Sequence, residues 1–271
     1  MEAVHGTVAA LRAGGGPAAV GVGAAGMVDF AAGTMAFAPN LPLRDVPIRD
    51  LVAERSGLPC VVDNDANAAA WAEYRMGAGR GSRHMLLVTV GTGIGGGIVW
   101  DDVLYRGSHG FAAEIGHVIV EPNGPPCGCG NLGCWEQVAS GRALDRLGRE
   151  EAGRHPEGAV ASLAGGGAVT GVHVTDAAKA GDPAAIRIVE EVGRRLGQGL
   201  AGLVNILDPD LIVIGGGVAE EGDLILGPAR RAMGQAVEAP EHRPKVPVVP
   251  AALGNDAGAI GAAVLALDLV P

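Results

Sequence analysis

Aromatic side chains are scarce in this chain of 271 residues: three Phe, two Tyr and three Trp make up 3% of it. Its core must therefore be built from Ala, Val, Leu and Ile. The 46 glycines supply many tight turns, and that combination has an α/β flavour. Basic residues are also few. Twenty Lys and Arg stand against 30 Asp and Glu, for a formal net charge of −10. No Lys/Arg run forms a face, which argues against a partner such as the phosphate backbone of DNA. A small-molecule partner fits better. Long apolar runs are missing as well. The longest, Met85 to Trp100, is broken by five glycines, so no membrane span is predicted. Met1-Glu2 opens the chain without a basic region or an apolar stretch, and the protein is read as cytoplasmic.

Cysteines number four, and three of them fall between Cys127 and Cys134. In a charged chain without a signal segment, such clustering points to metal rather than disulfide. Cys60 stands apart in an apolar run and is expected to be a small buried residue. The length allows two lobes with a shared cleft, since single cores stop growing at about 250–300 residues.

The hydrophobic pattern predicts a helix over Glu2–Ala13, stopped by Gly14-Gly15-Gly16-Pro17, then a strand over Ala18–Gly26 and a loop through Ala38–Pro42. A helix is expected from Asp50 to Gly57, and a strand over Pro59–Val62 that runs into Asp63-Asn64-Asp65-Ala66-Asn67 and a helix over Ala68–Met76. His84–Val90 and Ile94–Trp100 read as strands joined through Gly91-Thr92-Gly93, and Gly110–Pro122 as containing another strand. Trp135–Ala164 and Thr175–Leu207 look helical, the latter with Gly197, Gly199 and Gly202 on close-packed turns. Strands at Leu211–Ile214 and Val246–Ala251 and a helix over Asp256–Leu267 complete the pattern.

Three constellations carry chemistry. His117, Cys127, Cys129 and Cys134 have the composition of a closed Cys₃His zinc set, with glycines at 124, 128, 130 and 133 letting the backbone wrap. Such a site has no open position and would be structural, orienting His117 and leaving its second ring nitrogen for a ligand. Three reduced thiols beside an unrelated His is the alternative. Asp65 stands between a strand and an Ala-rich helix, where a helix cap is the ordinary job of Asp. Four acceptor side chains within five residues, at the carboxyl end of a strand, exceed what one cap requires. Gly91-Thr92-Gly93 with Gly95-Gly96-Gly97, and Gly215-Gly216-Gly217 after a buried strand, leave backbone N–H groups accessible to phosphate or nucleotide. A plain turn explains either one equally well.

Glu114-Ile115-Gly116-His117, the run Cys127-Gly-Cys-Gly-Asn-Leu-Gly-Cys-Trp-Glu136 and Asn64-Asp65-Ala66-Asn67 together resemble the ROK family of sugar kinases and related repressors, most of all its bacterial glucokinase members. The resemblance runs from Met1 to the carboxyl terminus. It implies an actin-like ATPase (ribonuclease H-like) α/β fold with two lobes closing on the nucleotide. Residues 1–64 with 257–271 would form the smaller lobe, and 65–256 the larger, carrying the zinc loop and a dimerisation surface. The implied activity is ATP-dependent phosphorylation of a hexose, with glucose as the best single guess and Mg²⁺ accompanying ATP. Asp65 would be the general base, Asn40, Asn64, Glu114, His117 and Glu136 the sugar contacts, and Thr92, Gly93 and Gly215 to Gly217 the nucleotide loops. His117 would then serve both zinc and sugar.

The resemblance further implies a homodimer or homotetramer, and no nucleic-acid or membrane partner is expected. Asp63 stands where Glu is common in the family, and Ala25 where Pro is common. Nothing between Met1 and Asn40 resembles the opening Asp-x-Gly-Gly-Thr-Lys phosphate loop of the family's kinases, and an incomplete start is the preferred account. Two alternatives remain at this stage. One is a sugar-responsive regulator, which would need a helix-turn-helix that is not evident. The other is a sugar-binding module without catalysis.

Overall fold

The computed structural model describes residues 16–38 and 43–270. The helix expected at Glu2–Ala13 and the candidate Asn40 lie outside the described residues. Two compact units emerge: residues 1–88, 96–114 and 251–271 form the first, and 89–95 with 115–250 the second.

In the first unit, β1 (Val20–Ala24) lies parallel to β5 (Cys60–Asn64), in register from Val20 opposite Cys60 to Ala24 opposite Asn64. An antiparallel meander follows β1: β2 (Met27–Asp29), β3 (Thr34–Phe37) and β4 (Arg44–Val46). β3 and β4 fall outside the predicted strands, because each is too short to show a period. Helix α1 (Ile48–Ser56) ends at Gly57, which takes the left-handed conformation and returns its N–H to Ala53. Val28, Met35, Ile48, Val52, Cys60 and Val62 make a shared core. Burying a side chain the size of Met35 contributes about 1.5–3 kcal/mol.

Helix α2 (Asp65–Met76) and the last helix, α9 (Ala257–Leu267), pack face to face through small residues. A Cβ at Gly261 would lie 1.7 Å from the Ala68 carbonyl oxygen, and one at Gly21 would lie 1.8 Å from that of Ala262. Only glycine allows β1, α2 and α9 to approach so closely, which accounts for the chain's Ala/Gly-rich, aromatic-poor composition. Buried Glu73 in α2 accepts N–H bonds from Ala78 (2.8 Å), Ala252 (3.1 Å) and Leu253 (2.7 Å), tying the segment before α9 to α2.

β6 (His84–Val90) and β7 (Ile94–Trp100) match the predicted spans and contribute residues to both units. Within the first unit they are followed by β8 (Val103–Tyr105), in the order β6-β7-β8. Asp101 and Asp102, at φ 49° and 64°, turn β7 into β8. The absence of an Asn-Gly or Asp-Gly pair there concealed that hairpin in the sequence.

The second unit is mostly helical: α3 (Glu136–Ala139), α4 (Gly141–Arg154), α5 (Ala159–Ala164), α6 (Gly171–Lys179), α7 (Pro183–Leu207) and α8 (Asp223–Ala236). β9 (Leu211–Gly215) pairs in parallel with β10 (Val248–Pro250). The helical reading of 135–164 is divided by extended Ser140, whose side chain caps α4. That of 175–207 is divided at Asp182-Pro183, where Asp182 caps α7 through the Ala185 N–H at 2.8 Å and Pro183 takes its first turn.

The strand expected within Gly110–Pro122 is not formed. Gly110 and Ala113 have φ of 88° and 67°, Ile115–His117 is a 3₁₀ turn, and the residues beyond fold onto the cysteine loop by a single bridge, Ile119 to Cys134. Gly197 and Gly199 do sit in close contacts. A Cβ at Gly197 would meet the Ala229 carbonyl at 2.1 Å, and one at Gly199 the Trp135 ring at 2.0 Å. Gly202 faces open space. Trp135 is a buried packing anchor, with its indole N–H on the Arg195 carbonyl at 3.1 Å. Among the described residues no helix is long and apolar enough to cross a membrane.

Candidate functional site

At the carboxyl end of β5 the chain turns directly into α2, and three consecutive side chains divide the work there. Asn64 is the cap: its Oδ1 accepts from the N–H groups of Ala66 (2.9 Å) and Asn67 (3.1 Å). Its Nδ2 donates to the Gly26 carbonyl at 3.0 Å, which leaves one amide hydrogen for a ligand. Asp63 is buried, and its two oxygens have separate partners. One accepts from the Asn64 N–H (2.8 Å) and Asn67 Nδ2 (3.1 Å); the other receives Arg106 Nε at 2.7 Å. Arg106 also lies 3.7 Å over the Phe30 ring, so the charge is paired and stacked rather than stranded. Neither Arg106 nor its link to Asp63 was readable from the sequence, because 43 positions separate the partners.

Asp65 is therefore not needed as the cap. Its side chain is exposed, and its Oδ1 accepts the adjacent Ala66 N–H at 3.0 Å. Water reaches the carboxyl, yet the protein around it still pushes its pKa above the ordinary 3.8. Desolvation is the larger influence, opposed by the Ala66 N–H. A carboxylate that is accessible, partly desolvated and, among the described residues, not paired with a cation suits proton acceptance. Glu114, also exposed, closes the second segment of the same unit.

In the second unit His117, Cys127, Cys129 and Cys134 present ligand atoms all within 4.8 Å of one another. Cys129 and Cys134 sulfurs are 3.6 Å apart, and Cys127 sulfur is 3.6 Å from His117 Nδ1. Tetrahedral zinc with Zn–S bonds of about 2.3 Å requires sulfur–sulfur edges of about 3.8 Å, so the donor set and spacing fit that ion. Nδ1 faces the sulfurs and leaves Nε2 for another partner. Burial and the neighbouring thiols push Cys134 up to about 12. Burial likewise raises Cys127; at Cys129 burial is outweighed by the Asn131 N–H and the other thiols, and the result is lowered. A metal ion would displace these protons.

The same cluster touches Glu136. Its Oε1 accepts from Cys127 Sγ (3.2 Å) and Gln137 Nε2 (2.9 Å). Its Oε2 lies where a Cβ on Gly93 would be only 2.3 Å away. Glycine at 93 thus lets the Glu136 carboxylate lie against the Gly91-Thr92-Gly93 turn. The start of α4 clasps that turn: Gly141 N–H reaches the Gly91 carbonyl at 2.8 Å, and Ser140 Oγ and Arg142 N–H reach that of Thr92 at 2.9 and 3.2 Å. After β9, Gly216 has φ 88° and sits where a Cβ would be 2.6 Å from the Val90 oxygen, while a Cβ on Gly217 would meet nothing within 4 Å. The first glycine serves the turn, and the second leaves open space.

An exposed carboxylate at a strand-to-helix turn and a Cys₃His loop are the two candidate sites of this fold. The ROK family profile matches residues 1–269, and the chain belongs to the ROK family. It is 45% identical over 275 residues to a glucokinase of Streptomyces coelicolor, spanning all of this chain and 87% of that protein. It is also similar to the solved structure of a ROK family glucokinase from Streptomyces griseus in complex with glucose and AMPPNP. That match has a TM-score of 0.88 and 46% identity, and covers 98% of this chain and 88% of the other. A xylose repressor of Caldicellulosiruptor bescii is 35% identical over 216 residues, 80% of this chain and 54% of the repressor. The architecture is accordingly the actin-like ATPase fold in its ROK form.

Proposed function

We propose that this chain is an ATP-dependent hexose kinase acting on glucose, with Asp65 as the base. The glucokinase relatives at 45–46% identity over nearly the whole chain support the reaction class. The observation that carries the residue assignment is the division of labour at the start of α2: Asn64 caps the helix, which leaves the Asp65 carboxyl uncommitted and exposed.

In this reading the hexose 6-hydroxyl attacks the terminal phosphorus of ATP as Asp65 takes its proton, and ADP departs. Phosphoryl transfer through a loose transition state asks mainly for alignment, so an ionised carboxylate is base enough. The remaining Asn64 amide hydrogen, Glu114, His117 Nε2, Glu136 and Asn40 would hold the sugar hydroxyls. Thr92, Gly93 and the Gly215 to Gly217 turn would receive the nucleotide. Mg²⁺ bound with ATP would neutralise charge on the phosphates. Zinc held by His117, Cys127, Cys129 and Cys134 would be structural and would fix the direction of the imidazole. Assembly as a dimer or tetramer and a cytoplasmic setting belong to the same proposal.

The test is a coupled assay with glucose, ATP and Mg²⁺. Asp65→Asn is expected to lower kcat by about 10²–10⁴-fold while glucose binding by calorimetry persists. Full activity in Asp65→Asn would remove Asp65 from the mechanism, and no phosphorylation by the parent chain would remove the kinase reading. The xylose repressor relative supports a second reading, a sugar-responsive regulator. Retention on a DNA column at moderate salt, altered by sugar, would favour it.

A further inference from the structure

The second unit contains a cavity of about 520 Å³ at the amino-terminal end of β10, a size ordinary for small-molecule sites. Its wall is apolar, formed by Val204 near the end of α7 and by Met233 and Val237 at the end of α8. Its rim is the 240–247 segment, where Pro240, Pro244 and Pro247 restrict the backbone and so reduce the ordering cost of binding.

Four cationic side chains line the cavity, Arg230, Arg231, Arg243 and Lys245, and no acidic one does. Two of them are already committed. Arg230 pairs with Asp223 at 2.6 Å and donates to the Val248 carbonyl at 3.0 and 3.1 Å. Arg243 pairs with Asp208 and reaches Asn205 Oδ1 at 3.1 Å. Arg231 and Lys245 make no hydrogen bond or ion pair with any described residue. Free cations on an open surface need no explanation. Arg231 and Lys245 are exposed, but both line the cavity beside its apolar wall, whereas Glu241 of the same segment does not line it, in a chain of net charge −10.

We propose that this cavity binds a phosphate monoester with an apolar or aromatic body. The phosphate dianion lies between Arg231 and Lys245, and the body lies against Val204, Met233 and Val237. Two unmatched positive charges balance one phosphate dianion, and guanidinium and ammonium donors suit its oxygens. The cavity is distinct from the Gly215 to Gly217 turn. Val248, which lines it, pairs with Ile212 near the start of β9, whereas the glycines follow the far end of that strand. Three residue steps of strand, from Ile212 to Gly215, set the two about 10 Å apart. The inference does not rest on the hexose kinase reading.

The sequence offers a direct test, because its lysines are Lys179 and Lys245 alone, and Lys179 is held by Glu221 at 2.7 Å. Pyridoxal 5′-phosphate is an aromatic phosphate monoester whose aldehyde condenses with a neutral lysine amine, releasing water. Borohydride then reduces the imine to a stable secondary amine, and peptide mapping by mass spectrometry reads the site. Labelling of Lys245 in the full chain is expected to saturate, to exceed that of Lys179 and to be blocked by phenyl phosphate. Pyridoxal without the phosphate, or the Arg231→Gln variant, should label Lys245 about tenfold more slowly or worse, the loss expected for a charged hydrogen bond. Arg231 is exposed, so an unchanged Tm is expected to show that this variant is folded. Labelling that rises linearly with reagent, that matches pyridoxal, or that is unaffected by Arg231→Gln in the folded variant would overturn the proposal.

Discussion

Asp65 shows how one residue's role depends on its neighbour. Asp and Asn are both good helix caps, and composition at the start of α2 does not say which of the two is used. The structure gives the cap to Asn64 and holds Asn64 in turn through Asp63 and Arg106. The base proposed here is thus positioned through a backbone that a buried ion pair stiffens. Burial raises the Asp65 pKa above 3.8, and the consequences for rate and stability have opposite signs. Proton acceptance needs the ionised form, so kcat/KM should fall as pH drops through the raised pKa, at higher pH than for an ordinary aspartate. A pH–rate profile checks this; an acid limb at or below the ordinary value would contradict it. For stability, a carboxyl raised in the folded state favours folding below its unfolded pKa and loses that contribution as pH rises through the folded one. Asp65→Asn, which removes the ionisation, should therefore raise Tm at neutral pH. The difference should vanish in acid, as thermal melts at several pH values would show.

At the scale of elements, glycine does different work at each turn. Gly216 combines φ 88° with a backbone approach that leaves no room for a Cβ, whereas Gly217 next to it faces open space. Gly216→Ala should cost about 1–3 kcal/mol of stability. Gly217→Ala should leave Tm nearly unchanged and, under the proposed nucleotide role, raise the KM for ATP. Denaturant melts and kinetics of the pair separate turn-making from ligand access, and equal melts would refute the distinction. The sequence pattern showed β6, β7 and β9 because each is an apolar run bounded by turn residues. It missed β2, β3, β4 and β8, of three or four residues, and α8, whose Pro228 argues against a helix on local grounds alone. It also read a strand in 110–122, where left-handed backbone at Gly110 and Ala113 interrupts an otherwise β-rich composition.

At the scale of the whole molecule, the proposed metal loop and the proposed sugar contacts depend on each other. Cys127 hydrogen-bonds Glu136, and Glu136 lies against the turn at Gly93. Loss of metal should therefore disturb more than the loop. Chelation is expected to lower Tm and to weaken glucose binding together, and Cys134→Ser should do the same. Calorimetry that finds unchanged glucose affinity in metal-free, folded protein would break that link.

The sequence by itself determined the grouping of His117, Cys127, Cys129 and Cys134, the strand-to-helix carboxylates and the family, because each is a short stretch whose residue types and spacing carry the information. Tertiary structure alone decided which of Asn64 and Asp65 caps the helix, that Arg106 neutralises Asp63 from 43 positions away, and that Glu73 reaches Ala252 and Leu253. It also decided that Arg231 and Lys245 share a cavity. These depend on contacts between distant segments, and distance along the chain carries no signal in a single sequence.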